Sequence, residues 1–306
     1  MSKIRLSVII VTYNRCKDLE ECLDSLLKFK ETPNEIIVVD SNSTDGTRDL
    51  VGKYPLEYIN IDERSMVKAR NIGSQHAKGE VVAYIDDDVI VSRDWAKYIL
   101  EPYVDECVAG VVGRVVSYDG EKDVYIPSKH NEVGKVFSNG TILGNFDIPT
   151  QNPIEVDTVI GCNMTFRRKL LQRIGGFDEN FRGSCFRDDT DISLRLKKRN
   201  YKLIYYPKAL VWHKFKGKTV DKKWFYWTLH NHTYFYIKNF PPMTLQKIIR
   251  YLFATFFPPQ DYVKKTGIRI KPTPLSVTYA IAGLLSAVLV HRKGDPTLIE
   301  RILQID

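Results

Sequence analysis

The first hundred residues alternate between unbroken apolar runs and amphipathic ones, and this alternation limits the fold more than any other feature. "RLSVIIVTY" (5–13), "EIIVVD" (35–40), "LEYINI" (56–61) and "EVVAYI" (80–85) are rich in β-branched residues and read as buried strands. Between them, "KDLEECLDSLLKF" (17–29) keeps Leu19, Cys22, Leu23, Leu26 and Leu27 at helical spacing. "STDGTRDLVGKY" opens with capping candidates for a short helix, and "SMVKARNIGSQHAKG" (65–79) reads as a helix closed by Gly79. Strands apolar on both faces, joined by helical crossovers, predict an α/β fold with a mostly parallel sheet sandwiched by helices. Ligands of such sheets sit beyond the carboxyl ends of the strands. Thr12, Tyr13, Asp40 and Asp86–Asp88 all fall at carboxyl ends, so one pocket could gather them.

The fourth strand runs straight into Asp86, Asp87 and Asp88. Adjacent carboxylates repel by up to ~3 kcal/mol per pair at ~5 Å and an effective dielectric near 20, which implies a cation among them. Hard oxygen ligands suit Mg²⁺ or Mn²⁺, with substrate phosphates completing the shell. The plainer alternative is capping of a helix that starts near Arg93, but one cap does not need three acids. Asp40 precedes "SNSTDGT", so it is either a ribose or base contact or a turn former. In "RDDTDISLRLKKRN" (187–200), acids at the start and bases toward the end complement a helix dipole. That explains Asp188 or Asp191 more readily than all three acids, and a spare carboxylate facing the pocket could be a general base. His213 closes "ALVWH" at a strand end. It could reach the pocket as a metal or phosphate ligand, although a lone histidine is more often structural.

At 306 residues the chain can hold one large α/β domain plus an appendage, or two modest domains. "CVAGVVGRVVSY" (107–118) continues the sheet, and residues 118–153 read as a long loop with the character of a lid. Residues 155–181 read as a strand, a turn and a helix ending at Gly175-Gly176. "YKLIYYP" and "ALVWH" read as two further strands. Beyond Lys218 the composition turns aromatic and basic, which places a boundary near 216 between a unit over 1–216 and a helical extension over 217–306. Five cysteines without a CxxC pair argue for a reducing compartment and against a disulfide framework or zinc knuckle. The apolar run before Thr12 is too short for a signal-peptide core, so cytoplasmic placement is expected. The net charge of +8 suits nucleic acid, anionic membrane or phosphorylated small molecules equally. No P-loop, GxGxxG after the first strand, HExxH or GxSxG occurs in the sequence.

In this order, "SVIIVTYNR", "EIIVVDSNSTDGT", "ARNIGSQHAKGEVVAYIDDDV", "IGCNMTFRRKLLQRIGGFDENF" and "RDDTDISLRLKKRNYKLIYYPKALVWH" resemble the family 2 glycosyltransferases. The resemblance covers roughly residues 5–213 and implies the GT-A fold. It implies a nucleotide-sugar donor with its diphosphate on Mn²⁺ or Mg²⁺ and an inverting transfer to an acceptor hydroxyl. Thr12, Tyr13 and Asp40 would hold base and ribose, and Arg70 would lie near the donor. Asp86–Asp88 match the family's DxD element, with Asp88 as direct metal ligand and Asp87 as ribose contact; His213 matches the histidine that assists metal or diphosphate. Asp189 keeps the position of the family's base. Asp188 stands where the family usually has glutamate, and its role is open.

A sugar-phosphate nucleotidylyltransferase would want a Gly-rich basic loop after the first strand, where this chain has "TYNRCKDLEE". A non-catalytic nucleotide-sugar or nucleic-acid binding module would use the basic charge, but an acid-lined pocket argues against a polyanion in the main cleft. In the extension, "KKWFYWTLHNHTYFYIKNF" and "LQKIIRYLFATFF" mix aromatic with basic residues, as membrane interfaces favour. "LSVTYAIAGLLSAVLV" (275–290) has no charge, and as a helix would be ~24 Å long, short of a ~30 Å hydrocarbon core. An interfacial or re-entrant helix on the cytoplasmic face is therefore expected, and the resemblance to family members of this type implies a glycan or lipid-linked acceptor beside it. The alternative is a helical subdomain packing these apolar faces on the first unit or on a second subunit of a homo-oligomer.

Overall fold

The computed structural model describes residues 4–28, 33–119, 123–124, 131–138, 140–214, 218–240, 268–269 and 273–304, with isolated positions 244, 246 and 249. Parts of the expected loop at 118–153 and nearly all of "LQKIIRYLFATFF" lie outside the described residues.

The chain begins with the expected alternation: β1 (Leu6–Thr12), α1 (Cys16–Leu27), β2 (Glu35–Asp40), α2 (Thr47–Val51), β3 (Glu57–Asn60), α3 (Met66–His76) and β4 (Val81–Asp86). There follow β5 (Val89–Val91), α4 (Trp95–Leu100), β6 (Val108–Tyr118) and the short β7 (Asp123–Val124), β8 (Lys135–Val136), β9 (Ile142–Leu143) and β10 (Ile154–Val156). Then come β11 (Asn163–Arg167), α5 (Arg168–Arg173), α6 (Asp188–Lys197) and β12 (Lys202–Lys214). A ten-stranded mixed sheet has the order β10-β12-β6-β11-β4-β1-β2-β3, with β5 added to β12 and β7 to β6. Helices flank it, so β1, β2 and β4 are buried along nearly their whole length.

The order β4-β1-β2-β3 is parallel throughout and reverses direction at β1, which makes a crevice beyond the carboxyl ends of β1 and β4. Register fixes what lines it. Thr12 pairs with Asp40, and Val11 pairs with Asp86. On the other side β11 runs antiparallel to β4 with Asn163 opposite Ile85, so the turn before β11 also opens at this edge. Residues 155–181 thus supply two strands, β10 and β11, where the sequence suggested one.

The two strands expected at 201–213 are one strand, β12, whose pairing to β6 slips between Tyr206 and Val211. Pro207 in this stretch has no N–H to give to the ladder, so the strand bulges there and continues. Gly113 faces the bulge so closely that a Cβ would lie 2.0 Å from the Ala209 carbonyl.

The boundary expected near 216 falls outside the described residues, and the helix beyond it, α7 (Lys222–Asn239), is built into the main core. Tyr234, Phe235 and Tyr236 join the cluster that contains the central strands. Asp178 and Asp191 anchor its end, with Lys238 Nζ 2.6 Å from Asp178 and 2.9 Å from Asp191. Phe235→Ala, at a fully buried position, is expected to cost ~3–5 kcal/mol in urea unfolding of the full chain. Ile302→Ala, exposed in the last helix, is expected to stay within ~0.5 kcal/mol of the parent.

Candidate active site

Asp86, Asp87 and Asp88 leave β4 at the crevice, and their carboxylates share a small set of partners. Thr12 Oγ1 donates to Asp87 Oδ2 at 2.8 Å. Arg15 Nη1 lies 3.0 Å from Asp87 Oδ1 and 2.6 Å from Asp88 Oδ2. His213 Nε2 is 3.0 Å from Asp88 Oδ1 and 4.0 Å from Asp86 Oδ2. The histidine is held there by β12, which pairs His213 with Val89 while the Lys214 N–H donates to the Asp88 carbonyl. Burial raises the Asp87 carboxyl to about 7, against the pull of Arg15 and Thr12. Burial lowers the His213 pKa, but the hydrogen bond and charge of Asp88 more than reverse this, and the net shift is upward.

Asp86, Asp88 and His213 each offer one ligand atom, and the three atoms lie within 4.8 Å of one another. Two carboxylate oxygens and one imidazole nitrogen fit a divalent cation of the Mn²⁺ or Mg²⁺ kind. Asp86 belongs with this group by position, beside the expected Asp88 and His213. The clustered acids also have protein cations of their own in Arg15 and Arg70. The charge argument from sequence is therefore met in part from within the chain.

Arg70, on α3, is the link between the two acidic segments. Its side chain is buried, with Nη1 2.6 Å from Asp188 Oδ2 and Nη2 3.7 Å from Asp86 Oδ1. Burial alone would lower its pKa, and Asp188 and Asp86 reverse the shift upward. Burial pushes the Asp188 carboxyl upward, and the Arg70 charge opposes the rise. The position left open by the sequence is thus the anchor of Arg70.

Asp189, half-buried at the start of α6, accepts from the Gly161 N–H at 3.1 Å through Oδ2 and from the Thr190 N–H at 2.6 Å through Oδ1. Burial raises its pKa, and Arg70 and Arg187 oppose the rise. Gly161 fits between the two functional groups only because it lacks a side chain: a Cβ would lie 2.9 Å from Arg70 Nη2. Arg187, immediately before the acids, has φ of 82°, a left-handed conformation that costs a non-glycine residue energy and turns the chain into α6. The buried Cys162 thiol is driven well above its ordinary range, first by burial and then by Asp86, Asp88 and Asp189, which places both acidic segments around it.

The expected base and ribose contacts are placed less openly. Thr12 is buried and spends its hydroxyl on Asp87. Asp40 is fully buried and accepts from the Ser43 N–H and hydroxyl and from the Tyr58 hydroxyl. Both order the wall of the crevice. Tyr13 is half-buried, and the exposed Arg64 guanidinium lies 4.2 Å from its ring centroid. Sequence reasoning missed Arg15, Arg64 and Tyr58. Arg15 was open to discovery, since it directly follows the strand end that faces the three acids.

Arg70→Met leaves Asp188 buried without its cation and is expected to destabilise the fold by ~3–5 kcal/mol. Arg70→Met combined with Asp188→Leu is expected to lose clearly less than the sum of the single losses in urea unfolding. Additive losses would show that the two residues do not act as a pair.

Residues 7–175 match the family described as Glycosyl transferase family 2. The poly-β-1,6-N-acetyl-D-glucosamine synthase of Staphylococcus aureus (strain COL) is 24% identical over 214 residues, 68% of this chain and 49% of the synthase. The synthase of the same description from Staphylococcus epidermidis is 22% identical over the same length. The chain therefore spans about half the length of the curated relatives it matches. Among solved structures, GalNAc-T7 with UDP, GalNAc and Mn²⁺ aligns with a TM-score of 0.60 at 18% identity, over 87% of this chain and 58% of that one. A mannosyltransferase from Pyrobaculum calidifontis with GDP-Man and Mn²⁺ aligns at 0.58 and 22% identity, over 94% and 76%. Staphylococcus aureus TarS 1–349 aligns at 0.54 and 18% identity, over 95% and 92%. These likenesses carry the fold, which is GT-A, and with the match over more than half of its length the chain belongs to the family 2 glycosyltransferases.

Proposed function

We propose that this chain transfers a sugar from a nucleoside-diphosphate sugar to an acceptor hydroxyl with inversion at the anomeric carbon. The observation that carries the proposal is that Arg70 bridges Asp86, of the Asp86–Asp88–His213 group, to Asp188, the immediate neighbour of Asp189, at one strand-end crevice. The donor lies in the crevice of the unit over 1–216, with its base on the Tyr13 side and its ribose toward Asp87. Thr12 and Asp40 shape that wall. When bound there by Asp86, Asp88 and His213, Mn²⁺ or Mg²⁺ would offset the charge that grows on the departing diphosphate. Arg15 adds positive charge at the same edge.

Asp189 takes the proton of the acceptor hydroxyl. The oxygen attacks the anomeric carbon from the face opposite the nucleotide, and the bond to the diphosphate oxygen breaks. The Gly161 and Thr190 N–H groups hold the Asp189 carboxylate in place, and Arg70 keeps it among compensating charge. The solved neighbours with UDP or GDP-Man support a diphosphate donor, and the polysaccharide synthases support a glycan acceptor, here in lipid-linked form. Placement on the cytoplasmic face of a membrane, through the extension over 217–306, would bring the crevice beside such an acceptor.

Asp189→Asn keeps the size of the side chain but cannot take a proton. Transfer is expected to fall ~10²-fold or more while donor binding persists; near-normal turnover would exclude Asp189 as the base. Chelation is expected to abolish transfer and added Mn²⁺ or Mg²⁺ to restore it, and full activity in excess chelator would overturn the metal assignment. The base works only when ionised, and burial raises its pKa. Activity is therefore expected to fall on acidification at a higher pH than an exposed aspartate would give, read from the acid limb of kcat/KM.

A further inference from the structure

The helix Pro274–His291 is built inside out for a helix on a water-facing surface. Its buried face carries Ser276, Tyr279, Ala280, Gly283, Ser286 and Ala287. Its outward face carries Leu275, Val277, Ile281, Leu285 and Leu289, which are 38–53% exposed. A surface helix in water shows the opposite distribution, with large apolar side chains inward. Small residues inward and large apolar ones outward is how helices pack when the surrounding medium is lipid.

The inward face is used fully, so the outward face is not an artefact of loose packing. The helix lies parallel to α7 at a constant offset: Tyr279 meets Lys222, Gly283 meets Tyr226, and Ser286 Oγ is 2.9 Å from His230 Nδ1. At Gly283 a Cβ would come within 2.1 Å of the Tyr226 carbonyl, so the two backbones touch. The final helix, Thr297–Leu303, fastens the pair further. The Tyr279 hydroxyl donates to the Leu303 carbonyl at 2.5 Å, and Glu300 receives Arg182 of the catalytic unit at 3.3 Å. α7 is in turn pinned to the core. A helix held along one side in this way cannot cross a bilayer without the core following it, and it can lie flat on one.

The exposed charges flanking the ridge are mixed, with Asp221 beside Lys222 and Asp295 shortly after Arg292 and Lys293, and basic residues outnumber acidic ones among these five. His291, Arg292 and Lys293 are exposed at its end, and Lys222 is exposed beside its beginning. From 274 to 290 the helix carries no charged residue.

We infer that the outward ridge of the Pro274–His291 helix docks in the plane of an anionic lipid bilayer, its apolar side chains in the acyl boundary and its flanking basic residues among the headgroups. This rests on the membrane placement proposed above and gives it a surface. Packing onto the first unit, weighed from sequence, accounts for Ala287 and Val290 but not for Leu275, Val277, Ile281, Leu285 and Leu289, which face outward.

The test is flotation of the full chain with phosphatidylcholine vesicles and with phosphatidylcholine–phosphatidylglycerol vesicles, at low and high salt. The parent is expected to float with the anionic vesicles, less so at high salt. Ile281→Glu with Leu285→Glu, both at exposed positions, is expected to reduce flotation about tenfold or more while leaving thermal unfolding and Mn²⁺-dependent UDP binding unchanged. Arg292→Glu with Lys293→Glu is expected to remove the preference for anionic vesicles. If the parent floats and the ridge variant floats equally, the ridge is not the docking surface, although the membrane placement stands. If the parent floats with neither vesicle, both fall. If light scattering finds a parent dimer that the ridge variant turns into a monomer, the ridge is an interface between copies and the lipid assignment is wrong.

Discussion

A single buried guanidinium joins the two halves of this site. Arg70 reaches from α3 toward Asp86 at the end of the next element, β4, and to Asp188 at the head of α6, which is far away in the chain. Without that cation, Asp188 would be a carboxylate in a dry interior, and the acids at the end of β4 would lose one of the charges that let them stay together. Burial penalises both charges, and they are tolerated there because each has the other. Asp188 is therefore spent on Arg70, while its neighbour Asp189 stays half-buried. The shorter side chain at the first acid position suffices because Arg70 comes to it.

The sheet explains why these groups face one another. Parallel strands put their carboxyl ends on one edge, and the register of β1 with β2 and β4 aligns Thr12, Asp40 and Asp86 there. The antiparallel β11 then brings Gly161 and Cys162 to the same edge from the other direction, and the antiparallel pairing of β12 with β5 sets His213 on Asp88. Much of what looks like ligand-binding chemistry in the sequence serves first to position. Thr12 orients Asp87, and Ser43 and Tyr58 occupy Asp40. The loops after β1 and β2 are laced together as well, with Asn14 Oδ1 accepting from the Thr44 N–H and Asp45 Oδ2 from the Cys16 N–H.

The C-terminal helices join the two kinds of packing in one molecule. α7 contributes aromatic side chains to the main core, whereas its parallel partner turns small residues inward and large apolar ones outward. The same helix pair thus stiffens the region around α6, through Lys238 and Asn239 on Asp191, and presents an apolar ridge to the outside.

The sequence by itself determined the parallel half of the sheet, since strands buried on both faces must be apolar throughout, and it determined which side chains stand at strand ends. It also marked Asp86–Asp88, Asp189 and His213, because clustered charge next to apolar runs has few purely structural uses. Only the tertiary structure decided the rest. The antiparallel insertion of β11, the bulge that makes 202–214 one strand, the pairing of Arg70 with Asp188 and the presence of Arg15 on Asp87 and Asp88 all depend on residues distant in the chain. Periodicity reads neighbours along one element and carries no information about which element lies opposite. The helix at 274–291 is the clearest case: its sequence is apolar on nearly every side, so which face is buried is set by the backbone contact of Gly283 with Tyr226 and not by any pattern of polarity.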